Sequence, residues 1–394
     1  MPTKGKTQPK SSLKGEIGMK FKTFLSLLTA LIGITWFAPA HAIPAWARKY
    51  ETSCSTCHST WPNLNSFGRQ FKENGYRVAR GEDSNAEKVG DFKIKSVFPI
   101  SAVLVSRPYD KKGSGNSKIR ALHEIELVVA GPMADKFSGF FELEMEDEAL
   151  DVPVAGGGGG TVSIPGFQWT VMPHGAFTYN ASPTVNISMA WAPVYWVDPY
   201  DTYTDSRRLT RGASSAVSSA FGGLDSTLAT PRQQVTISGR PVSKLFYYLG
   251  VSGLGGDTEG DDPQSFMGRL AYDFSPGAMV GLLAISGTDT GTGYTRSGID
   301  TQVDVSNFRI TGVYLNADDG GTSSYAGYLQ GLYTFKNSDG MPTWVPLFRW
   351  DTDDGVNAYV ASLTYYISPN VKGFLEYWDD ATDNRATLQF SASF

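Results

Sequence analysis

The chain has 394 residues, of which 41% are hydrophobic and 13% aromatic, and its 34 basic and 39 acidic side chains leave a net charge of −5. No basic run is long enough for a nucleic-acid surface, and nothing resembles a hydrolytic triad, a phosphate loop or a nucleotide fold. The chain has only two cysteines, so no other thiol framework competes for them.

The amino end reads as a leader rather than as structure. Met19-Lys20-Phe21-Lys22 is a positive start, Thr23 to Phe37 is an apolar run, and Ala40-His41-Ala42 is a small-x-small cleavage site. The run is too short for a comfortable transmembrane helix. The expectation is a signal peptide over residues 1–42 with Met19 as the preferred start, and export to an oxidising compartment. Those 42 residues carry six lysines and one glutamate, so the remainder is more acidic still, at −10. Within it, residues 43–80 have a balance of +4, and everything after residue 80 sums to −14. A small basic module is joined to a large acidic one, and the two should attract each other.

The basic module contains Cys54-Ser55-Thr56-Cys57-His58. Cys-x-x-Cys-His is the attachment signature of a c-type haem: the thiols add to the two vinyl groups and the histidine ligates the iron. One helical turn sets both sulfurs along a porphyrin edge with the imidazole toward the metal. A thioredoxin-like pair would need a preceding strand, which Ala47 to Ser53 do not supply. A structural zinc site would need four ligands, and only three are near. One covalent haem c is therefore expected on Cys54 and Cys57, with His58 as axial ligand.

Downstream, Leu64, Phe67, Phe71 and Tyr76 recur at spacings of three to five, which predicts a short helix packed on a haem face and stopped by Asn74-Gly75. About 40 residues cannot bury a porphyrin and a core of their own, so this module, residues 43–88, must lean on the rest of the chain. No methionine or further histidine occurs from Ser59 to Leu122. The iron is then five-coordinate or takes its distal ligand from the second module.

That module, residues 89–394, alternates apolar and polar residues in runs of about ten separated by Gly/Asp/Ser/Asn/Pro clusters. Phe137, Phe141, Leu143 and Met145 share one parity and Glu142, Glu144 and Glu146 the other. Phe266, Leu270, Tyr272 and Phe274 alternate with Met267, Arg269 and Asp273, and the chain closes on Ala386, Leu388, Phe390, Ala392 and Phe394. Apolar-out, polar-in alternation predicts an outer-membrane barrel; a soluble β-sandwich is the alternative. The fold class is all-β: a transmembrane antiparallel β-barrel of about sixteen strands with a small amino-terminal α-helical monohaem cytochrome c plug. Fifteen strands can be counted, including one over 301–315. Because single-chain barrels have even numbers, the sixteenth is expected within 193–231. Tight turns at 181–183, 241–243, 275–277 and 368–370 suit the periplasmic end. The long links 148–165, 193–231, 254–263 and 288–300 suit the outside. The basic module would then enter the lumen from the periplasm.

The segment from Ile43-Pro44-Ala45-Trp46 through Cys54-Ser55-Thr56-Cys57-His58, Pro62-Asn63-Leu64-Asn65-Ser66-Phe67-Gly68-Arg69 and Phe71-Lys72-Glu73-Asn74-Gly75-Tyr76 resembles the amino end of the fused cytochrome–porin family. The best-known members of that family are outer-membrane iron oxidases of iron-oxidising bacteria. The match covers residues 43–76 closely and rests on architecture beyond them. The resemblance implies a monohaem domain plugging a porin-like barrel. Electrons would pass from extracellular Fe(II), or another donor, through the haem to a periplasmic cytochrome c or similar carrier.

Independently of that resemblance, Glu124, Glu126, Glu142, Glu144 and Glu146 have lumen parity on neighbouring strands. Hard oxygen ligands of this kind attract a divalent cation such as Fe(II). Alternatively they hold Arg69, Lys72 or Arg77 of the basic module by ion pairing. For the distal haem ligand, His123 and Met145 share the parity of lipid-facing neighbours. Met172, His174 and Met267 have lumen parity. His174 is favoured over Met172 because Pro173 between them breaks the alternation. Two functions remain: an oxidoreductase that carries electrons across the outer membrane, and a porin-type transport channel in which the haem module is a gate or plug.

Overall fold

The computed structural model describes residues 45–78, 86–89, 92–95, 100–134, 136–147, 150–153, 161–164, 168–197, 208–257, 259 and 264–394. The expected leader, 1–42, lies outside them. Three short helices open the described chain: α1 (Ala45–Tyr50), α2 (Cys54–Cys57) and α3 (Ser66–Glu73). A closed barrel follows. Its strands are β1 (Ile100–Lys112), β2 (Lys118–Ala134), β3 (Phe137–Glu146), β4 (Gln168–Ser182), β5 (Val185–Ala192), β6 (Arg232–Val242), β7 (Leu245–Ser252) and β8 (Ser265–Ser275). They continue as β9 (Ala278–Asp289), β10 (Thr292–Val305), β11 (Phe308–Asp319), β12 (Thr322–Tyr333), β13 (Trp344–Asp353), β14 (Val356–Ser368), β15 (Val371–Asp379) and β16 (Asn384–Ser393). Every strand pairs antiparallel with its sequence neighbour, and β16 closes on β1.

Closure leaves no free edge, and among the described residues no helix is long and apolar enough to cross a bilayer. The strands do the crossing. Phe266 is 67% exposed while the next residue, Met267, is 4% exposed. The same alternation puts Phe141 and Leu143 outside and Glu142 inside. An outward belt of Leu249, Leu282, Ile299, Leu329, Phe348, Leu375 and Tyr377 completes the apolar face that a bilayer-spanning barrel requires.

The sixteenth strand is not where the turn pattern placed it. It is β10, and the predicted strand over 301–315 is two strands joined at Ser306-Asn307. Between β9 and β10 there is no long outer link: Thr290-Gly291, with φ of +46° and +84°, makes a two-residue hairpin. The reason is compositional. The outward residues Thr295 and Ser297 of β10 are hydroxylated, so its period-two hydrophobic signal is faint.

The described parts of 193–231, residues 193–197 and 208–231, hold no strand and fold into the lumen. Val194, Tyr195, Trp196, Val197, Val217 and Leu228 are buried against inward-facing Phe246, Tyr248, Met267, Met279, Leu283 and Ile285. A polar-in rule therefore fails on this arc of the wall, because the lumen there is filled with protein. The segment carries one helix, α4 (Ser215–Ser218), and is tied down by charge. Arg211 pairs with Asp110 at 2.8 Å, and Arg349 of β13 donates to the carbonyls of Gly212 and Ala213 at 3.2 and 3.0 Å. Glu376 accepts from the Arg211 amide at 2.8 Å, and Asp351 from the Ser215 amide at 3.0 Å.

Residues 45–78 fill the other end of the lumen, where the tight turns lie. Arg69 makes a bidentate pair with Asp273 at 2.8 and 2.5 Å, and Arg240 bridges Asp273 and Glu73 at 2.8 and 2.6 Å. The Trp46 indole donates to the Ala130 carbonyl at 3.1 Å, and Arg77 donates to the carbonyls of Ala134 and Phe137. Tyr76 stacks between Trp46 and Phe140, with ring centroids 5.0 and 6.1 Å away.

Two outcomes test this architecture. Unboiled protein should migrate differently from boiled protein in detergent gels. In addition, Leu282→Arg, on the outward face of β9, should cost about 2–4 kcal/mol in urea unfolding from lipid vesicles if it sits near the bilayer midplane.

Candidate functional site

The Cys54–His58 segment owes its shape to Asn65. Its side-chain oxygen accepts from the Gly68 amide at 3.0 Å, capping α3, and its amide donates to the carbonyls of Ser55 and Thr56 at 3.2 and 3.0 Å. One side chain thus ties the Cys-x-x-Cys turn to the helix that packs on it. The approach is so close that a Cβ at Gly68 would lie 2.1 Å from the Cys57 carbonyl oxygen, so glycine is required there. The predicted stop at Asn74-Gly75 is where α3 ends, with Gly75 at φ +71°.

Both cysteines and His58 border one apolar cavity of about 280 Å³. Its other walls include Trp46, Tyr50, Trp61, Phe67, Phe71 and Val78. Phe67 and Val78 are 40% and 45% exposed, so the cavity opens at one edge. Of the predicted packing residues, Phe67 and Phe71 line it. Leu64 and Tyr76 are buried beside it and belong to the seams with α2 and the barrel. Trp46 and Tyr50 were not singled out from sequence; their i, i+4 spacing on α1 is the signal that marks them.

His58 Nδ1 lies 2.9 Å from the Pro62 carbonyl oxygen. A carbonyl only accepts, so Nδ1 carries the proton and Nε2 carries the lone pair, the arrangement a metal-ligating histidine needs. Burial pushes both thiols up, Cys57 to about 11 with a smaller push from Cys54. A redox-active Cys-x-x-Cys pair needs a depressed pKa, so the surroundings oppose a thioredoxin-like reading. Apolar walls, two adjacent thiols and an oriented imidazole fit a covalently held haem.

A second, larger cavity of about 660 Å³ lies between the 45–78 module and the inward-folded 208–231 segment. His58 and Trp61 border it from one side, Arg208 and Arg211 from the other, and β2 and β3 supply its acidic wall. All five predicted carboxylates, Glu124, Glu126, Glu142, Glu144 and Glu146, line it. Ligand atoms of Glu124, Glu126 and Glu144 lie within 4.8 Å of one another, as do those of His123, Glu124 and Glu146. At an effective dielectric near 20, each like-charged pair at that range costs about 3–4 kcal/mol. The ion pairs expected from the basic module go elsewhere: Arg69 reaches Asp273 on β8, and Arg77 reaches carbonyls between β2 and β3.

His123, given lipid parity by simple alternation, is buried in the lumen. Opposite β1, where Val105 faces Glu124 and Arg107 faces Arg120, β2 carries two extra residues, and this bulge turns the imidazole inward. There His123 Nδ1 meets Asp147 at 2.7 Å and Nε2 meets Arg107. A register shift between Val171 and His174 likewise follows the Pro173 break. His174 is 5% exposed, holds Glu142 through Nδ1 at 2.7 Å and borders the same cavity, while the Met172 side chain lies outside the described residues. Met267 is buried in the lumen, packed in the apolar arc.

A closed sixteen-strand meander with an in-folded segment after its fifth strand is the porin fold. The chain is similar to Salmonella typhi OmpF, solved in complex with daunomycin, at 14% identity and a TM-score of 0.54 over 76% of this chain and 98% of that one. It is also similar to an anion-selective porin from Comamonas acidovorans, at 9% identity and a TM-score of 0.52 over 75% and 98% of the two chains. No protein-family model matches the sequence, and no curated protein matches it.

In polypeptide refolded without any cofactor, iodoacetamide should alkylate Cys57 slowly at pH 7, and the rate should rise about tenfold per pH unit toward the thiol's pKa near 11. Gly68→Val, which cannot fit against the Cys57 carbonyl, should expose both thiols and speed the reaction at every pH. Asp273→Ala removes the bidentate partner of Arg69 and leaves Arg240 only Glu73, and should weaken docking by about 3–5 kcal/mol. Trypsin should then cut at Arg69 and Arg77 in a barrel whose gel shift is unchanged.

Proposed function

We propose that this protein is an outer-membrane electron carrier of the cytochrome–porin type, with one haem c held by Cys54, Cys57 and His58 inside the barrel. The observation that carries the reading is the single apolar cavity on which both thiols and the oriented imidazole converge. Bound haem supplies a one-electron redox couple at that position.

The chain's own residues do the rest. Trp46, Tyr50, Phe67 and Phe71 exclude water from the cavity, and the Pro62 carbonyl fixes the His58 tautomer. The Arg69–Asp273–Arg240–Glu73 network fixes the module in the lumen. The open edge at Phe67 and Val78, neither of which lines the carboxylate cavity, suits a periplasmic carrier such as a cytochrome c. Extracellular Fe(II), giving up one electron as Fe(III), is the donor favoured by the acidic wall.

A transport channel is the second reading, favoured by the porin fold and the 660 Å³ cavity. Against it, the lumen is occupied from both ends by segments that are ion-paired to the wall.

Haem stain should persist on the denatured protein in gels and vanish in Cys54→Ser or Cys57→Ser. Stopped-flow mixing of the oxidised protein with Fe(II) should shift the Soret band and sharpen the visible haem bands. A haem extracted by acid acetone, or bands that ignore Fe(II) while liposomes carrying the protein swell in small sugars, would favour the channel.

A further inference from the structure

We infer that Glu124, Glu126 and Glu144 form a lumenal binding site for a hard divalent cation, with His174 at its border. Glu126 and Glu144 are directly cross-strand partners on β2 and β3, and Glu124 faces Glu146 on the next inward rung. Like charges directly opposite destabilise a sheet. Here three carboxylates bring ligand oxygens within 4.8 Å of one another at the edge of a cavity roomy enough for a hydrated ion.

The second observation is independent of the acidic cluster. His174 Nδ1 is occupied by Glu142, while Nε2 is buried and has no hydrogen-bond partner. With Nδ1–H donated to the carboxylate, Nε2 presents a lone pair to the cavity that the glutamates also line. A buried acceptor calls for a donor, and a water on a cation bound by the glutamates supplies one. His123 adjoins Glu124, 3.9 Å from its Nε2, but Asp147 and Arg107 engage both its nitrogens and leave neither for a cation. That places the ion on the Glu126 side of Glu124. The cavity's cations each have another partner: Arg107 on Gln389 and His123, Arg120 on Asp147, Arg208 on the Arg211 carbonyl, Arg211 on Asp110, and Lys372 on the Trp61 carbonyl.

All-carboxylate oxygen donors select hard ions such as Fe(II), Mn(II), Mg²⁺ and Ca²⁺ over soft ones. Because His58 and Trp61 border the same cavity, the ion would sit across open space from the cysteine-bearing module. Its identity as the electron donor, Fe(II), rests on the function proposed above; the site itself does not.

Mn(II) is the probe, titrated into the full-length protein in detergent and followed by calorimetry and by loss of the free-ion EPR signal. One equivalent should bind, and the Glu126→Gln/Glu144→Gln double variant should bind at least tenfold more weakly while keeping its heat-modifiable gel shift. Should the double variant fail to fold, each single variant should still bind at least threefold more weakly. A wild type that takes up no Mn(II), or folded variants that bind it as the wild type does, would overturn the site. The haem bands of the same samples, mixed with Fe(II), separate the two claims. Reduction in the wild type that slows in the variants supports both. Mn(II) uptake by a wild type whose haem ignores Fe(II) upholds the site and removes the donor role.

Discussion

The buried network of Arg69, Asp273, Arg240 and Glu73 is the interaction on which the arrangement depends. Isolated charges in a protein interior are expensive, and a pair broken on one side leaves the other unsolvated. Here two guanidiniums and two carboxylates neutralise one another, with Arg69 and Asp273 in bidentate geometry. The network fixes α3 against β6 and β8. Asn65 then fixes the cysteine turn against α3, and Trp46 and Tyr76 carry the contact across to β3. The position of the apolar cavity follows from that chain of contacts. About thirty residues that could not form a core alone borrow one from a barrel wall.

The 208–231 segment meets the opposite problem, and its solution is mixed. Val217 and Leu228, together with the preceding Val194 to Val197, lie on a strip of Phe246, Tyr248, Met279 and Ile285. Its backbone amides and carbonyls, which would otherwise be buried without strand partners, are taken up by Asp351, Glu376 and Arg349. Filling from both ends distinguishes this lumen from an open aqueous pore, although the enclosing wall is a porin wall.

How much of this was legible in the sequence depended on the length scale of the signal. The cysteine turn, the helix stop at Asn74-Gly75 and the outward parity of Phe266 or Leu143 are local properties, and they read true. The number sixteen followed from the even-strand rule. The position of the last strand did not follow, because Thr295 and Ser297 hide the alternation of β10 while Val194 to Val197 imitate a strand. His123 was misassigned for a related reason: parity propagates along a strand only until a bulge, and a two-residue bulge leaves no mark in composition. Long-range pairing was the least legible. Nothing in the sequence says that Arg69 prefers Asp273, two hundred residues away, to the nearer glutamates of β2 and β3.

That preference has a consequence for the acidic wall. The basic module and the acidic barrel attract each other overall, but the attraction is spent at discrete pairs on the β6–β8 side of the lumen. The β2–β3 carboxylates line the cavity instead, where the Lys372 ammonium, donating to the Trp61 carbonyl, also lies. A wall of this kind is unstable as bare charge, and it becomes stable by taking up protons or by taking up a cation. The two responses differ in what they do to the space beside His58: protons leave it neutral and closed to ions, whereas a cation fixes there a charge that exchanges with solvent. The separation of the apolar cavity from the carboxylate cavity, with His58 and Trp61 bordering both, is therefore the feature that would let one lumen hold the proposed haem and a hydrated ion side by side.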